Sequence, residues 1–551
     1  MTPAPCRQSG PLRSIRESTG IRGDQTGPME KSVMPLSEFS SERCRPSRGS
    51  IGLSMLSAAT QKCPFRALLL AFLFCAIGHA QTRTVVSPLR LSTSDPQLQR
   101  AFDWAKEQAL HYVSSGQDPV KDWYEAALPG RSAFCMRDVS HQVMGAEALG
   151  LSSQNKSMLT RFAQGISAAR DWASYWEIDR EGKPSTADYV SDDNFWYNLP
   201  ANFDVMNAAL RMFVWTGDSA YATNPVFLNF YRHTVTDYIR RWQLEPRNVV
   251  SRPRIMNRHL ASGKFVEARG IPGYTEERKD FNLGADLLAA EYRALRLYGE
   301  LLRMRGSAGS PAFDAQAEGV AQILETRAWS SPAHHYYNAL QQNGEGVGTG
   351  DAFILYFGAA TNPEHRKLAL EELRRQTREE APGIEEQSYR PEILFHLNAP
   401  EEAYSQIVDL SRPDRKRREY PEVSYAIIGS IVTGMMGVNV VPAESHGTDQ
   451  MLARKVVIQT LPRLSIHTSE AELNNLPVRQ NVINVHHLRN QSSSITNVSG
   501  PTFTWRASFD GSVPYLMVNG RKVQANTISL ATPVVSVDVP VATGKTVTVS
   551  R

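Results

Sequence analysis

Cysteine is scarce in this chain of 551 residues. Five cysteines are present, and four of them precede residue 81, which leaves Cys135 without a partner in the rest of the sequence. Secreted domains that depend on disulfide bridges need several paired cysteines. The sequence therefore excludes a small disulfide-stapled domain. The composition, 41% hydrophobic and 21% charged residues, is that of an ordinary globular protein with a hydrophobic core.

A long apolar run is missing as well. The most apolar stretch follows Lys62 and Arg66 and extends over about a dozen residues, whereas a membrane-spanning helix needs about 20. A basic start, a short apolar run and small residues before the cut are typical of a secretory signal. We therefore predict a signal peptide at 55–80, preceded at 1–54 by a disordered upstream segment that does not belong to the protein. The mature chain is expected in the bacterial periplasm or outside the cell, with no membrane partner.

The mature chain also has no excess of one charge. Residues 1–80 hold 10 of the 60 Lys and Arg residues and 5 of the 56 Asp and Glu residues, so the remainder carries 50 against 51. Nucleic-acid-binding domains are usually strongly basic on one face. We therefore predict no nucleic-acid partner.

Sequence patterns for cofactors and metals are absent too. The chain has neither a Gly-rich phosphate-binding loop nor the Gly-x-Ser-x-Gly turn of a serine nucleophile. The neighbouring pairs His334-His335 and His486-His487 lack the spacing and acidic partners of a zinc site. We predict no cofactor and no metal.

Helical periodicity fills the sequence from about residue 96 to residue 437, in about twelve segments. Some, such as PEHRKLALEELRRQT, have a charged face, whereas others, such as VSYAIIGSIVTGMMGV, are apolar nearly all round. A helix of the second kind is buried on all sides. The alternation predicts two concentric helical layers, a toroid, at 95–440.

After about residue 450 the pattern changes to short β-branched runs separated by Gly, Pro, Asn and Ser. Such runs are typical of the antiparallel strands of a sandwich. The predicted fold class is therefore mainly α, a helical toroid followed by a C-terminal antiparallel β-sandwich at 450–551.

Carboxylates and aromatic residues concentrate in loops that precede helices. If alternate helices point their N-termini to one mouth, these loops line one cavity, and such a cavity suits a sugar because aromatic faces stack on the ring and carboxylates bind hydroxyls. The loop at 175–204 also contains Asp188. The side chains predicted to bind substrate are Arg137, His141, Trp176, Glu177, Asp192, Asp193, Trp196, Tyr197, Glu386 and Tyr389.

Asp138, on the first turn of a predicted helix, is the candidate general acid. Cleavage of a glycosidic bond needs one protonated carboxyl and a second carboxylate. The adjacent Arg137 lowers the pKa of Asp138, so burial or a neighbouring carboxylate must raise it. Asp192 and Asp193 are the alternatives for this role.

Glu422, which follows Pro421 at another helix start, is the candidate base. Proline is favoured at the first helical position, and a helix N-terminus stabilises an ionised carboxylate. Glu419 and Glu386 are the alternatives.

Two motifs and the order of elements resemble a known family, the six-hairpin (α/α)6-barrel glycoside hydrolases, and in particular their α-L-rhamnosidase-like branch. CMRD (Cys135–Asp138) lies where that family carries its acid motif, and REYPEVSYAIIGSIVTGMMGV (418–438) lies where a loop with the base glutamate precedes the last inner helix. The segments LPRL, AELNNLPV and INVHH resemble the sandwich that follows. The resemblance covers about residues 95–550 and implies a six-hairpin (α/α)6 toroid.

The function that the resemblance implies is hydrolysis of glycosidic bonds in a plant or microbial polysaccharide, with inversion expected. Two alternatives stay open. A polysaccharide lyase shares the architecture of toroid plus sandwich, and a non-catalytic carbohydrate-binding protein would keep the cavity without the chemistry.

Overall fold

The computed structural model describes residues 86–253, 269–276, 281–379, 383–444, 450–528 and 533–551. Residues 81–551 form one compact unit. The predicted upstream segment 1–54 and the predicted signal peptide 55–80 lie outside the described residues.

Helices make up most of the described chain before residue 437. Six of them have a proline in the first turn, where the missing N–H is not needed. None of the helices within the described ranges is long and apolar enough to cross a bilayer. The α-helices are α1 (Pro96–His111), α2 (Met136–Ala148), α3 (Ser152–Gly165), α4 (Ala201–Thr216), α5 (Ala220–Thr223), α6 (Pro225–His233), α7 (Ile239–Trp242), α8 (Ala285–Arg305), α9 (Ser310–Ile323), α10 (Asp351–Tyr356), α11 (Pro363–Glu379), α12 (Ile384–His396), α13 (Pro400–Leu410) and α14 (Pro421–Gly429).

Six of these helices pack against one another in chain order. Helix α2 contacts α4, α4 contacts α8, and the series continues through α10 and α12 to α14, which returns to α2. Helices α1, α3, α9, α11 and α13 each contact at least one of these six. Helices α4 and α14 are buried on nearly every side, whereas α11 exposes much of its surface. The predicted alternation of buried and half-exposed helices is therefore present.

Strands occur among the helices as short pairs and a three-stranded sheet, and elsewhere as two larger sheets. The short strands are β2 (Ala133–Cys135), β3 (Glu177–Asp179), β4 (Tyr189–Ser191), β5 (Asn194–Phe195), β6 (Tyr197–Asn198), β7 (Arg269–Ile271), β8 (Phe281–Gly284), β9 (Trp329–Ser330), β10 (His335–Tyr336), β11 (Ala339–Gln341) and β12 (Gly346–Val347). The strands of the larger sheets are β1 (Arg90–Thr93), β13 (Asn439–Pro442), β14 (Val456–Thr460), β15 (Glu470–Val478), β16 (Asn481–Leu488), β17 (Ser492–Ser499), β18 (Phe503–Asp510), β19 (Tyr515–Val518), β20 (Arg521–Gln524), β21 (Asn526–Ile528), β22 (Val534–Val541) and β23 (Thr546–Ser550).

The two larger sheets have the orders β1-β15-β16-β17-β23-β19-β20 and β13-β14-β18-β22-β21. Buried and exposed residues alternate along β15, β16 and β17, as expected when one face of a sheet covers a core. The buried residues of both sheets belong to the same hydrophobic cluster as those of the helices.

The sheets differ from the sequence-based prediction in two respects. Strand β1 precedes all the described helices and yet pairs with β15, because residues 90–93 run along this sheet before the chain enters the helical region. Strands β14 and β18 are parallel, whereas the prediction had only antiparallel pairs. The reason is that the chain leaves β14 for the other sheet and re-enters beside it in the same direction.

Candidate active site

A cavity of about 660 Å³ opens at the N-terminal ends of α2, α10, α12 and α14. The loops before α4 and α8 complete its wall through Trp196 and Tyr274. The loops that the sequence predicts to share one cavity therefore do meet. The predicted residues that line it are Arg137, Asp138, Trp176, Glu177, Trp196, Glu386, Tyr389 and Glu422.

Asp138 and Glu422 are buried carboxyl groups within this cavity. Asp138 is 6% exposed and Glu422 is 5% exposed. Arg137 Nε donates to Asp138 Oδ1 at 3.3 Å, and Arg137 Nη1 lies 3.9 Å from Glu276 Oε1. Glu422 Oε1, by contrast, has no hydrogen-bond partner among the described residues. The two acids therefore share a site but differ in how well their charge is compensated.

The local sequence explains how these two acids are brought together. Asp138 lies in the first turn of α2, directly after β2, whose Cys135 pairs with Glu177 of β3. Pro421 starts α14 and places Glu422 in its first turn. Both helices therefore present a first-turn carboxyl at the same end.

Burial decides the protonation of both acids. Burial raises the pKa of Asp138 to about 6 against the opposing effect of Arg137, as the sequence argument requires of an acid. Burial and the nearby Asp138 raise the pKa of Glu422 well above its ordinary value. The expectation that the helix N-terminus keeps Glu422 ionised is therefore wrong, because a dipole effect of about 0.3–1 kcal/mol is smaller than the cost of burying an unpaired charge.

Two predicted residues lie behind the cavity wall. His141 is one helical turn further along α2, stacks on Tyr389 with 3.6 Å between ring centroids, and has its Nε2 3.0 Å from Ser388 Oγ. Burial lowers the pKa of His141 to about 3. Tyr197 is fully buried and donates to Asn202 Oδ1 at 2.5 Å. Trp196 reaches the cavity and Tyr197 does not because neighbouring residues of an extended segment point in opposite directions.

Three further predicted residues or alternatives lie away from the cavity. Asp192 pairs with Arg170 at 2.7 Å and accepts from the Tyr189 hydroxyl, and these hydrogen bonds lower its pKa against the effect of partial burial. Asp193 is exposed on the same loop. Glu419 contributes its backbone carbonyl to the hydroxyl of Tyr112. The structure does not bring these three carboxylates to Asp138 and Glu422.

The cavity also contains charged residues that the sequence argument did not select. Asp188 stood in the loop at 175–204 and could have been found through its proximity in sequence to Glu177. Nothing in the sequence pattern distinguished Arg131 or the segment around Tyr274 from other loop residues. The additional charged or hydroxyl-bearing lining residues are Arg131, Asp188, Tyr274, Thr275, Glu276, Thr349, Glu385, Arg417 and Tyr420.

Carboxyl groups outnumber cationic groups along this cavity. Seven Asp and Glu residues and three Arg residues line it. This charge balance suits a neutral ligand better than an anionic one. Within the described ranges, no three His, Cys, Asp or Glu side chains are placed to hold a metal ion together.

Comparison with known proteins supports the fold. No protein-family model matches the chain, and no curated protein matches it in sequence. Among solved structures, a GH78 family rhamnosidase of Bacillus sp. GL1 superposes with a TM-score of 0.53 at 12% identity, over 76% of this chain and 41% of that one. An α-L-rhamnosidase from Dictyoglumus thermophilum superposes with a TM-score of 0.52 at 9% identity, over 85% of this chain and 51% of that one.

The chain spans about half the length, or less, of these two proteins. At such low identity the likeness concerns the course of the chain and not the chemistry of individual residues. The predicted resemblance is confirmed at that level: the chain has the fold seen in these two rhamnosidase structures.

Proposed function

We propose that this protein is an exported glycoside hydrolase built as an (α/α)6 six-hairpin toroid with a β-sandwich. The circuit of contacts from α2 to α14 and back, with further helices packed against it, supports the toroid. The observation that carries the function is the buried pair Asp138 and Glu422 in a cavity that also presents Trp176 and Trp196. A pair of carboxyl groups is what hydrolysis of a glycosidic bond requires, and the tryptophan faces suit a sugar ring.

The electrostatics favour a particular division of roles between the two acids. Arg137 compensates a negative charge on Asp138, whereas Glu422 has an unpartnered oxygen and a pKa well above the ordinary value. Since burial and the charge of Asp138 raise the pKa of Glu422, the pair holds one proton over a range of pH. We therefore assign the proton to Glu422 as general acid and the charge to Asp138 as general base, the reverse of the sequence-based assignment.

The reaction then follows the usual course of such a pair. Glu422 gives its proton to the oxygen of the leaving group as the glycosidic bond breaks. Asp138 takes a proton from a water molecule as that water attacks the anomeric carbon. The products are the free sugar and the alcohol, and the proton taken from water restores the pair. Inversion at the anomeric carbon stays our prediction, and NMR of the first-formed anomer checks it.

The other cavity residues are proposed to bind sugar rings and hydroxyls. Trp176, Trp196 and Tyr389 offer apolar faces, and Glu386, held by Arg390 at 2.8 Å, offers a carboxylate. The substrate class is an oligo- or polysaccharide of plant or microbial origin, which agrees with the predicted export to the periplasm or the medium.

A polysaccharide lyase is the less favoured alternative. A lyase removes a proton beside a uronate and needs cationic groups to stabilise it, whereas acids outnumber arginines in this cavity. A non-catalytic carbohydrate-binding protein is the other alternative, and turnover distinguishes it from a hydrolase.

The test is turnover by the purified protein on a panel of nitrophenyl glycosides, with α-L-rhamnoside among them, and plant polysaccharides. Release of reducing sugar without an unsaturated, ultraviolet-absorbing product supports a hydrolase. The unsaturated product indicates a lyase, and binding without turnover indicates a carbohydrate-binding protein.

A further inference from the structure

A second pair of carboxyl groups lines the cavity at Glu177 and Asp188. Glu177 is 2% exposed and Asp188 is 5% exposed. One guanidinium nitrogen serves both, since Arg131 Nη1 donates to Glu177 Oε2 at 2.8 Å and to Asp188 Oδ2 at 3.3 Å. A single cation cannot neutralise two buried carboxylates, so the three groups together hold one negative charge too many unless a proton is bound.

The shared cation gives that proton a place. The Glu177 and Asp188 carboxyl groups both accept from Arg131 Nη1, and one cation balances them only when one of the two carboxyl groups is protonated. Burial and the charge of Glu177 raise the pKa of Asp188 to about 7, which agrees with this geometry. The pair therefore offers both a hydrogen-bond donor and acceptors.

One oxygen of this pair lacks a donor. Glu177 Oε1 is buried and has no hydrogen-bond partner among the described residues. A buried acceptor without a donor is costly, and native structures usually supply one from protein, water or ligand. The oxygen belongs to a side chain that lines the cavity, where a ligand hydroxyl has access to it.

The backbone fixes the pair beside an aromatic wall. Glu177 follows Trp176 in the chain, and its strand β3 pairs with β2 directly before Asp138. The backbone N–H of Trp196 donates to the backbone carbonyl of Asp188 at 2.7 Å. The acids, the two tryptophans and the start of α2 are thus connected through short β contacts, which fixes their separation.

We propose that Glu177, Asp188 and Arg131 bind two adjacent hydroxyl groups of a neutral sugar ring, and that this cluster determines which glycosyl unit the cavity accepts. The protonated carboxyl donates to one hydroxyl oxygen, Glu177 Oε1 accepts from the other hydroxyl, and the ring lies against Trp176. A ring that carries a carboxylate is rejected because it would add a negative charge that no cation of this cluster compensates. The inference rests on the proposed function for the identity of the ligand as a sugar.

The experiment is isothermal titration calorimetry of the purified protein with free monosaccharides. The probes are L-rhamnose, D-mannose, D-glucose and D-galactose, each with its monodeoxy analogues, and the corresponding uronic acids. We expect one neutral sugar to bind and its deoxy analogue, lacking one of two adjacent hydroxyls, to bind about tenfold more weakly. Glu177→Gln and Asp188→Asn should each weaken binding of the parent sugar about tenfold and have little effect on the deoxy analogue.

The matched control is Asp192→Asn, a change on the same loop that lies outside the cavity and should leave binding unchanged. Circular dichroism checks that each variant is folded, and Arg131→Lys replaces any variant that is not. Infrared spectroscopy gives an independent check, because a protonated carboxyl group has a distinct C=O stretching band at neutral pH. The spectrum of Asp188→Asn should lack one such band.

The outcomes separate this inference from the proposed function. Sugar binding that depends on Glu177 and Asp188, in a protein without turnover, supports the inference and contradicts the hydrolase. Turnover with sugar affinity unchanged in both variants overturns the inference and leaves the hydrolase intact. Tighter binding of a uronic acid than of its neutral sugar, or no binding of any neutral sugar, also overturns it.

Discussion

Gly145 of α2 lies directly against the backbone carbonyl of Tyr425 in α14, and a Cβ at position 145 would overlap that carbonyl oxygen. Gly429 of α14 faces Gly145 in turn, with the position of its missing Cβ 3.2 Å from the Gly145 nitrogen. The two helices that carry Asp138 and Glu422 therefore touch through backbone. This contact sets the separation of the two acids.

Gly145→Ala should separate α2 from α14 and disturb the acid pair. We expect a loss of about 1–3 kcal/mol of unfolding free energy, because the new methyl group has no space, and a lower kcat. Thermal unfolding and kcat are the measurements. Gly319→Ala is the control, since its Cβ would lie 3.0 Å from a ring carbon of Pro246 and neither residue lines the cavity. An equal decrease of kcat in the two variants would contradict the role of the contact between α2 and α14.

The pH dependence of kcat/KM should have two limbs. The active form carries one proton on the pair, so activity falls as the pH drops through the pKa of Asp138, about 6. It falls again as the pH rises through the pKa of Glu422, which burial and Asp138 raise. A profile that stays level through pH 6 would contradict the coupling of these groups.

Arg137→Met should move the acid limb of this profile to higher pH. Arg137 lowers the pKa of Asp138, so its removal lets burial raise that pKa further. Arg412→Met serves as the control because Arg412 pairs with Asp414 on the surface, and it should leave the profile in place. An unchanged acid limb in Arg137→Met would show that another group sets it.

Asp204→Asn should stabilise the protein at and above neutral pH. Burial raises the pKa of Asp204 to about 7, its Oδ1 has no partner among the described residues, and the Tyr274 hydroxyl donates to Oδ2 at 3.0 Å. The folded state therefore binds this proton more tightly than the unfolded state, and stability decreases as the pH rises from about 4 through 7. Asp204→Asn should avoid this loss, which amounts to up to about 4 kcal/mol of unfolding free energy.

Denaturant unfolding at pH 5 and pH 8 measures the effect of Asp204→Asn, which should appear at the higher pH. Asp218→Asn is the control of opposite sign. Its hydrogen bonds from Lys156 and the Ala220 N–H lower the pKa of Asp218, so its removal should destabilise the protein above pH 4. A gain of stability in both variants would contradict the argument.

The sequence predicts the helical region and the first-turn acids because periodicity and helix-start residues are local signals. Pro421 and the apolar run after it, for example, define α14 without knowledge of its neighbours. The sequence does not reveal which side chains reach the cavity. Tyr197 follows the cavity residue Trp196, and His141 lies three residues after Asp138, yet neither lines the cavity. His141 is one helical turn further along α2, and Tyr197 points to the opposite side of its extended segment.

Long-range pairing is the second limit. Nothing near Arg90–Thr93 indicates a partner almost 400 residues later, and Arg131 joins Glu177 and Asp188 only through the fold. The sign of the Glu422 pKa shift also depends on burial, which a single sequence does not show. The helix start alone predicts an ionised Glu422, whereas burial among its neighbours favours the protonated form.

The measurement that tests the central claim most directly is turnover of Asp138→Asn and Glu422→Gln on glycosides with good and poor leaving groups. If Glu422 is the acid, Glu422→Gln should lose about 10²–10⁴-fold in kcat on poor leaving groups and much less on nitrophenyl glycosides. Asp138→Asn should lose activity on both and show partial rescue by azide. The reverse pattern would restore the opposite assignment, and full activity in both folded variants would contradict the claim that this pair performs the chemistry.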